Sequence, residues 1–281
     1  MRKVMSTLVA AAVLCTAPHA VANPLAGSSQ AFSQSSSQAG EELRTAIYRA
    51  LPPQARNHPL AQQLAPAPAP STPAPTQDQP ADCSNCVAVT FDDGPAASTN
   101  QVLDILARKH ATASFFVLAP KVRANPGAVQ RMRAAGHTVA SHTATHRDLT
   151  KLSQPEVRRE VEEGSRAIAD ATGASPRFVR PPYGALNATV SEAARVQGQA
   201  VVLWDVDTLD WKHRDPARTC KTAVDQARAG SIVLMHDIHP TTAQAVECVI
   251  DGLRAKGLRP ASLDQMVPQP VPGKTYTTRN S

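Results

Sequence analysis

Two adjacent aspartates, Asp92 and Asp93, end the apolar run VAVTF and precede Gly94 and Pro95. Asp-Gly and Gly-Pro are turn signals, so the pair alone reads as a loop leaving a strand. Two carboxylates side by side nevertheless repel each other unless they share a proton or a cation. His142 and His146 in SHTATH offer the other half of a cation site. Four residues apart, on a helical turn after a strand, both imidazoles would face one way and share a metal. Two histidines and one aspartate make a three-ligand set with a position open for water, the pattern of catalytic rather than structural zinc. With Asp93 on the metal, Asp92 stands beside it unligated and able to take a proton from water, and the metal offsets the repulsion. His236, in LMHD, is a third histidine suited to protonating a leaving group, with Asp210 or Asp237 available to keep its imidazole charged. Arg180, in RPPYG, is placed either to brace the acidic base or to form a surface ion pair. Of the two tryptophans, Trp204 reads as core. Trp211, between Asp210 and Lys212, reads as the lining of a pocket.

These residues need elements that bring them together. From Cys83 onward the chain alternates short β-type runs (VAVTF, ASFFVL, HTVASH, FVRPPY, QAVVLWDV, SIVLMH and a weaker GLRPASL) with helical ones. In STNQVLDILARKH, Val102, Ile105 and Leu106 share a face. SQPEVRREVEEGSRAIADATG opens with a Ser153 to Glu156 capping box and stops at Gly173. Repeated β-α units imply an α/β fold with a parallel sheet of about seven strands, either a barrel or an open sheet. Both architectures place active sites at the carboxyl ends of their strands. The polar motifs stand at the carboxyl ends of five expected strands.

The whole chain has 281 residues, 42% of them hydrophobic, enough for a packed core. Residues 1 to 22 combine Arg2 and Lys3, an apolar run from Leu8 to Leu14, and Ala20-Val21-Ala22, the pattern of a secretory signal peptide cleaved after Ala22. The apolar run is too short to span a bilayer, which needs about 20 residues. Leu14 before Cys15 does not suit a lipoprotein cleavage site. The expected destination is periplasmic or extracellular. Residues 23 to 82, rich in Ala, Pro, Ser and Gln, read as a disordered linker with one amphipathic piece from Glu41 to Leu51. Folding begins near Cys83 and runs to about residue 268, leaving 269 to 281 as a tail. In an oxidising compartment Cys83, Cys86, Cys220 and Cys248 favour disulfides. Of the three pairings available, Cys220 with Cys248 is favoured, because each sits on its own expected helix in consecutive units, which leaves Cys83 with Cys86. C-S-N-C also has the spacing of a redox motif or half a zinc site, but it precedes its strand and has no second copy. The net charge of +6 is scattered without a dense basic run, which argues against a nucleic-acid partner and leaves an anionic cell envelope as a weak one. Nothing in these patterns sets an oligomeric state.

TFDDGP, SHTATH, RPPYG, DTLDW and LMHD, in this order, resemble the five motifs of the polysaccharide deacetylase family, carbohydrate esterase family 4 or NodB-homology domain. The resemblance covers about residues 83 to 268 and implies a distorted (β/α) barrel, usually of seven strands. By position it implies that Asp92 is the catalytic base and that Asp93, His142 and His146 hold zinc or a similar divalent ion such as cobalt. Arg180 is similar to the arginine that orients the base, and the backbone N–H of Tyr183 to an oxyanion donor. Asp210 resembles the carboxylate that tunes the general acid, His236 that acid, Trp211 the indole lining the groove, and Leu234 the wall against the acetyl methyl. The implied activity is removal of N-acetyl groups from N-acetylglucosamine units of peptidoglycan, chitin oligomers or poly-N-acetylglucosamine. An O-acetyl xylan esterase, a carbohydrate-binding module without catalysis, and a redox protein built on Cys83 and Cys86 are the alternatives.

Overall fold

All seven residues of strand β1 (Cys86–Asp92) are buried, but alternate residues meet different neighbours. Val87, Val89 and Phe91 pack with helical residues such as Val102, Leu106, Val246 and Ile250. Cys86 and Ala88 face the other way, into a cluster with Phe116, Ala140, Phe178, Ala200, Val202 and Ile232 from neighbouring strands. A strand buried on both faces belongs to a parallel sheet with an outer layer of helices and an inner lumen. The computed structural model describes residues 83–281. The expected signal peptide, the linker 23–82 and the piece from Glu41 to Leu51 lie outside the described residues.

After β1 come α1 (Thr99–Arg108), β2 (Ser114–Val117), α2 (Ala119–Ala124), α3 (Pro126–Ala134), β3 (Thr138–Ser141), α4 (Gln154–Thr172), β4 (Phe178–Val179) and α5 (Ala188–Val196). The second half holds β5 (Ala200–Val202), β6 (Val206–Asp207), α6 (Asp210–His213), α7 (Pro216–Gln226), β7 (Ile232–His236), α8 (Pro240–Ala255), β8 (Arg259–Ala261), α9 (Leu263–Met266) and β9 (Thr275–Tyr276). The sheet order is β6-β7-β1-β2-β3-β4-β5-β9, with β8 paired to the first half of β1, and every strand pair is parallel. The expected α/β fold of parallel strands is therefore present.

Two details differ from the sequence reading. The run QAVVLWDV is two strands, not one, and β5 and β6 lie toward opposite ends of the sheet order. Residues 203–205 cross the seam between them, where the Asp205 carboxylate accepts the Ile232 N–H at 2.7 Å and the Ser231 hydroxyl at 2.8 Å. The stretch expected to be a tail, 269 to 281, supplies β9, and beyond it Thr278 bridges Ser231 while the Arg279 N–H donates to Gly230 O at 2.9 Å. These contacts curl the sheet into a distorted barrel, with nine strands where about seven were expected. The signal missed was the short Lys-Thr-Tyr-Thr run, too brief to show a β alternation.

Other local expectations are met. The Ser153–Glu156 capping box opens α4, and Gly173 closes it at φ 73°. Disulfides join Cys83 to Cys86 at the start of β1, and Cys220 on α7 to Cys248 on α8. Among the described residues no helix is long and apolar enough to cross a membrane.

Candidate active site

The lumen-facing positions of β1 read Ala88, Thr90, Asp92, and the register pairs Thr90 with Leu234 and Asp92 with His236 on β7. Side chains two apart on a strand share a face, so the last inward position of each strand opens onto one mouth. Asp92 and His236 fill that position on adjacent strands. His142 and Arg180 follow β3 and β4 directly.

Asp92 is almost completely buried, and Arg180 is fully so. The guanidinium donates to Asp92 Oδ1 at 2.7 Å, to Thr90 Oγ1 at 2.9 Å, and to the carbonyls of Val202 at 3.2 Å and Leu203 at 3.0 Å. It also lies 4.0 Å over the Phe116 ring and 5.5 Å from that of Trp204. A buried charge with this many partners is rigid. The surface ion pair considered for Arg180 is therefore excluded, and Trp204 proves to be a wall of its cage. The contact leaves Asp92 Oδ2 as the free oxygen, 3.7 Å from His142 Nε2.

Asp93, His142 and His146 converge. Asp93 Oδ1 lies 3.3 Å from His146 Nε2 and 3.5 Å from His142 Nε2, and one ligand atom from each residue falls within 4.8 Å of the others. His142 Nδ1 lies 2.8 Å from the Arg180 carbonyl, an acceptor, so this nitrogen carries the proton and Nε2 presents a lone pair to Asp93. Burial holds His142 below the ordinary imidazole range despite the nearby carboxylates of Asp92 and Asp93. Asp93 Oδ1 is itself buried without a hydrogen-bond partner. Lone pairs facing one another around an orphaned carboxylate oxygen are what a divalent cation would satisfy, so these residues fit a metal ion. The expected helical turn between the histidines is absent. Thr143 and His146 adopt left-handed φ values of 73° and 61°, and it is this loop that brings the two rings to 5.0 Å.

Asp210, at the start of α6, settles the choice of partner for His236. Its Oδ1 lies 2.9 Å from His236 Nδ1, while Oδ2 accepts the His236 N–H at 2.8 Å and the Thr242 hydroxyl at 2.6 Å. Burial disfavours charge on His236, but the hydrogen bond and charge of Asp210, with Asp92 and Asp93 behind it, raise the imidazole above its ordinary value. Asp237 turns away to accept from Thr99 Oγ1, and burial, with Asp92 and Asp93, pushes its carboxyl up to about 7. A side chain at Gly94 would collide with this carboxyl, which is why the turn after the paired aspartates needs glycine.

Tyr183 closes the turn Pro182–Gly184 at φ 62°, its ring exposed and edge-on to His146 at 4.8 Å. Trp211, on the short helix α6, is half exposed, and Leu234 is buried on β7. A cavity of about 560 Å³ lined by His146, Arg147, Asp148, Lys151, Leu152 and Tyr183 adjoins the cluster. Thr90, Thr242, Trp204 and Phe116 were not identified from sequence. Nothing in their types marks them, because their contribution depends on which buried group they meet.

The fold and the cluster describe an α/β barrel with a candidate metal site at the carboxyl ends of its strands. The family model for polysaccharide deacetylases matches residues 79–202. A chitooligosaccharide deacetylase of Bradyrhizobium is 37% identical over 196 residues, covering 64% of this chain and 90% of that protein. The chain belongs to the polysaccharide deacetylase family. It is also 42% identical over 192 residues to the Listeria monocytogenes peptidoglycan-N-acetylglucosamine deacetylase PgdA, an alignment that covers 68% of this chain but only 41% of that longer relative. A solved structure described as "T48 deacetylase with substrate" matches with a TM-score of 0.66 at 43% identity, over 69% of this chain and 98% of the other.

Proposed function

We propose that the chain is an exported, metal-dependent hydrolase that removes N-acetyl groups from N-acetylglucosamine units of a cell-envelope or environmental polysaccharide and releases acetate. The observation that carries this reading is the placement of a braced carboxylate, Asp92, and a carboxylate-held imidazole, His236, at the ends of adjacent strands beside the Asp93/His142/His146 trio. Those three residues would hold zinc or a similar divalent ion such as cobalt, which when bound supplies positive charge to acidify water and to offset charge on the acetyl oxygen.

Asp92 acts as the base. Arg180 occupies Oδ1, so Oδ2 takes the proton from the attacking water. The backbone N–H of Tyr183 donates to the acetyl oxygen as negative charge develops there. When the carbon–nitrogen bond breaks, the amine leaves with a proton from His236 Nε2, because Nδ1 is engaged with Asp210. One proton is taken by Asp92 and one is given by His236, so amide and water become amine and acetic acid, which ionises to acetate on release. Leu234 walls the methyl group, and Trp211 offers a face to the sugar. The signal-peptide pattern in the sequence of residues 1 to 22 and the two disulfides support export to the periplasm or the exterior.

Acetate release by the zinc-loaded full chain on chitin oligomers, peptidoglycan and acetylated xylan tests the assignment. Release from an N-acetylated glycan is expected. Release from xylan alone would make it an O-acetyl esterase, and release from none would contradict the reading.

A further inference from the structure

Glu160, on α4, lies outside all five motifs, yet it touches the loop that carries both expected histidine ligands. Its side chain is only 7% exposed. One carboxylate oxygen accepts the Thr145 N–H at 2.8 Å and the other accepts the Thr145 hydroxyl at 2.5 Å. A buried carboxylate is unfavourable unless donors satisfy it, and here both donors come from the residue immediately before His146. One helical turn along the same face, Gly164 brings α4 against the same loop. A Cβ there would sit 2.8 Å and 2.9 Å from the Thr143 backbone, so only glycine allows this approach. Between these two contacts the loop holds Thr143 and His146 in left-handed conformations that persist only when their surroundings over-determine them.

We infer that Glu160 is a positioning residue for the metal site. It grips Thr145 from both ends of its carboxylate and so sets His146 opposite Asp93 before an ion arrives. The inference rests on the metal reading above and adds to it a residue outside the ligand set. A partner that orients a ligand acts on affinity, typically by about 10- to 100-fold.

The test is cobalt(II) affinity of the metal-stripped full chain, measured by chelator competition, together with the visible spectrum of the cobalt-loaded protein. Glu160→Ala is expected to weaken binding by about 10-fold or more and to alter the spectrum. Glu160→Gln keeps an oxygen for the Thr145 N–H and is expected to recover most of the loss. If Glu160→Ala does not fold, Thr145→Val carries the test. It deletes only the hydroxyl bond and is expected to weaken binding about fivefold, the scale of one hydrogen bond. Wild-type affinity and spectrum in the folded variant, even with lower urea resistance, would reduce Glu160 to an ordinary helix-to-loop tie and overturn the inference. A wild-type chain that binds no cobalt, or an Asp93→Ala chain that binds it equally well, would instead overturn the metal reading, and this inference with it.

Discussion

His236 and Asp210 show how far one contact sets chemistry at the residue scale. Burial alone would discharge the imidazole, whereas the Asp210 hydrogen bond and charge keep its proton on to a higher pH than usual. A general acid must be protonated to work, so activity should persist to higher pH than an ordinary imidazole would allow and fall as pH rises through this raised value. In Asp210→Asn the charge is lost and burial dominates. The alkaline limb of the pH–rate profile for acetate release should therefore move to lower pH, with a reduced plateau. An unmoved limb would mean that another group gives the proton. From residue types alone Asp210 and Asp237 were both candidates for this partnership, and only the family resemblance pointed to Asp210. The choice depends on where the α6 turn places Asp210, and no residue type announces that turn, because Leu209 and Arg214, which flank it, are left-handed without being glycine.

Strands and helices were more legible than their junctions. The alternation in VAVTFDD sends Val87, Val89 and Phe91 toward helices and Thr90 and Asp92 into the lumen, and the capping box and Gly173 mark the ends of α4 as read. What could not be read was the support given across elements, such as the four groups that accept from Arg180 or the grip of Glu160 on Thr145. Another such contact, between the starts of β2 and β3, is exposed by pH. His137 is buried, and its Nδ1 accepts the Ala113 N–H at 3.2 Å, which requires the neutral ring. Burial, assisted by Arg131, lowers its pKa from 6.5 to about 4. Between those values the unfolded chain binds more protons than the folded one, so stability is full above 6.5 and declines as pH falls toward 4. The loss should reach roughly 2 kcal/mol at pH 5. His137→Asn, which keeps an acceptor but cannot titrate, should shrink the difference in urea midpoint between pH 7 and pH 5. An undiminished difference would place the sensitivity elsewhere.

At the scale of the whole molecule, a parallel barrel gathers the carboxyl ends of its strands at one mouth. Motifs spread from Asp92 to His236 therefore meet at that mouth. The closing of the barrel was not legible. It depends on the crossing at 203–205 and on the contacts of Thr278 and Arg279, made by residues whose polar types read as loop and tail. The same closure brings Leu203 O and Val202 O onto Arg180, so the seam also braces Asp92. On the proposed reading the paired aspartates at the end of β1 divide the work, Asp93 to hold the ion and Asp92 to move the proton. Zinc content and kcat of Asp92→Asn, measured together on a chitin oligomer, test that division. The variant should keep its full zinc and lose at least about a hundredfold in kcat. An unchanged kcat, or a chain that no longer holds zinc, would contradict it.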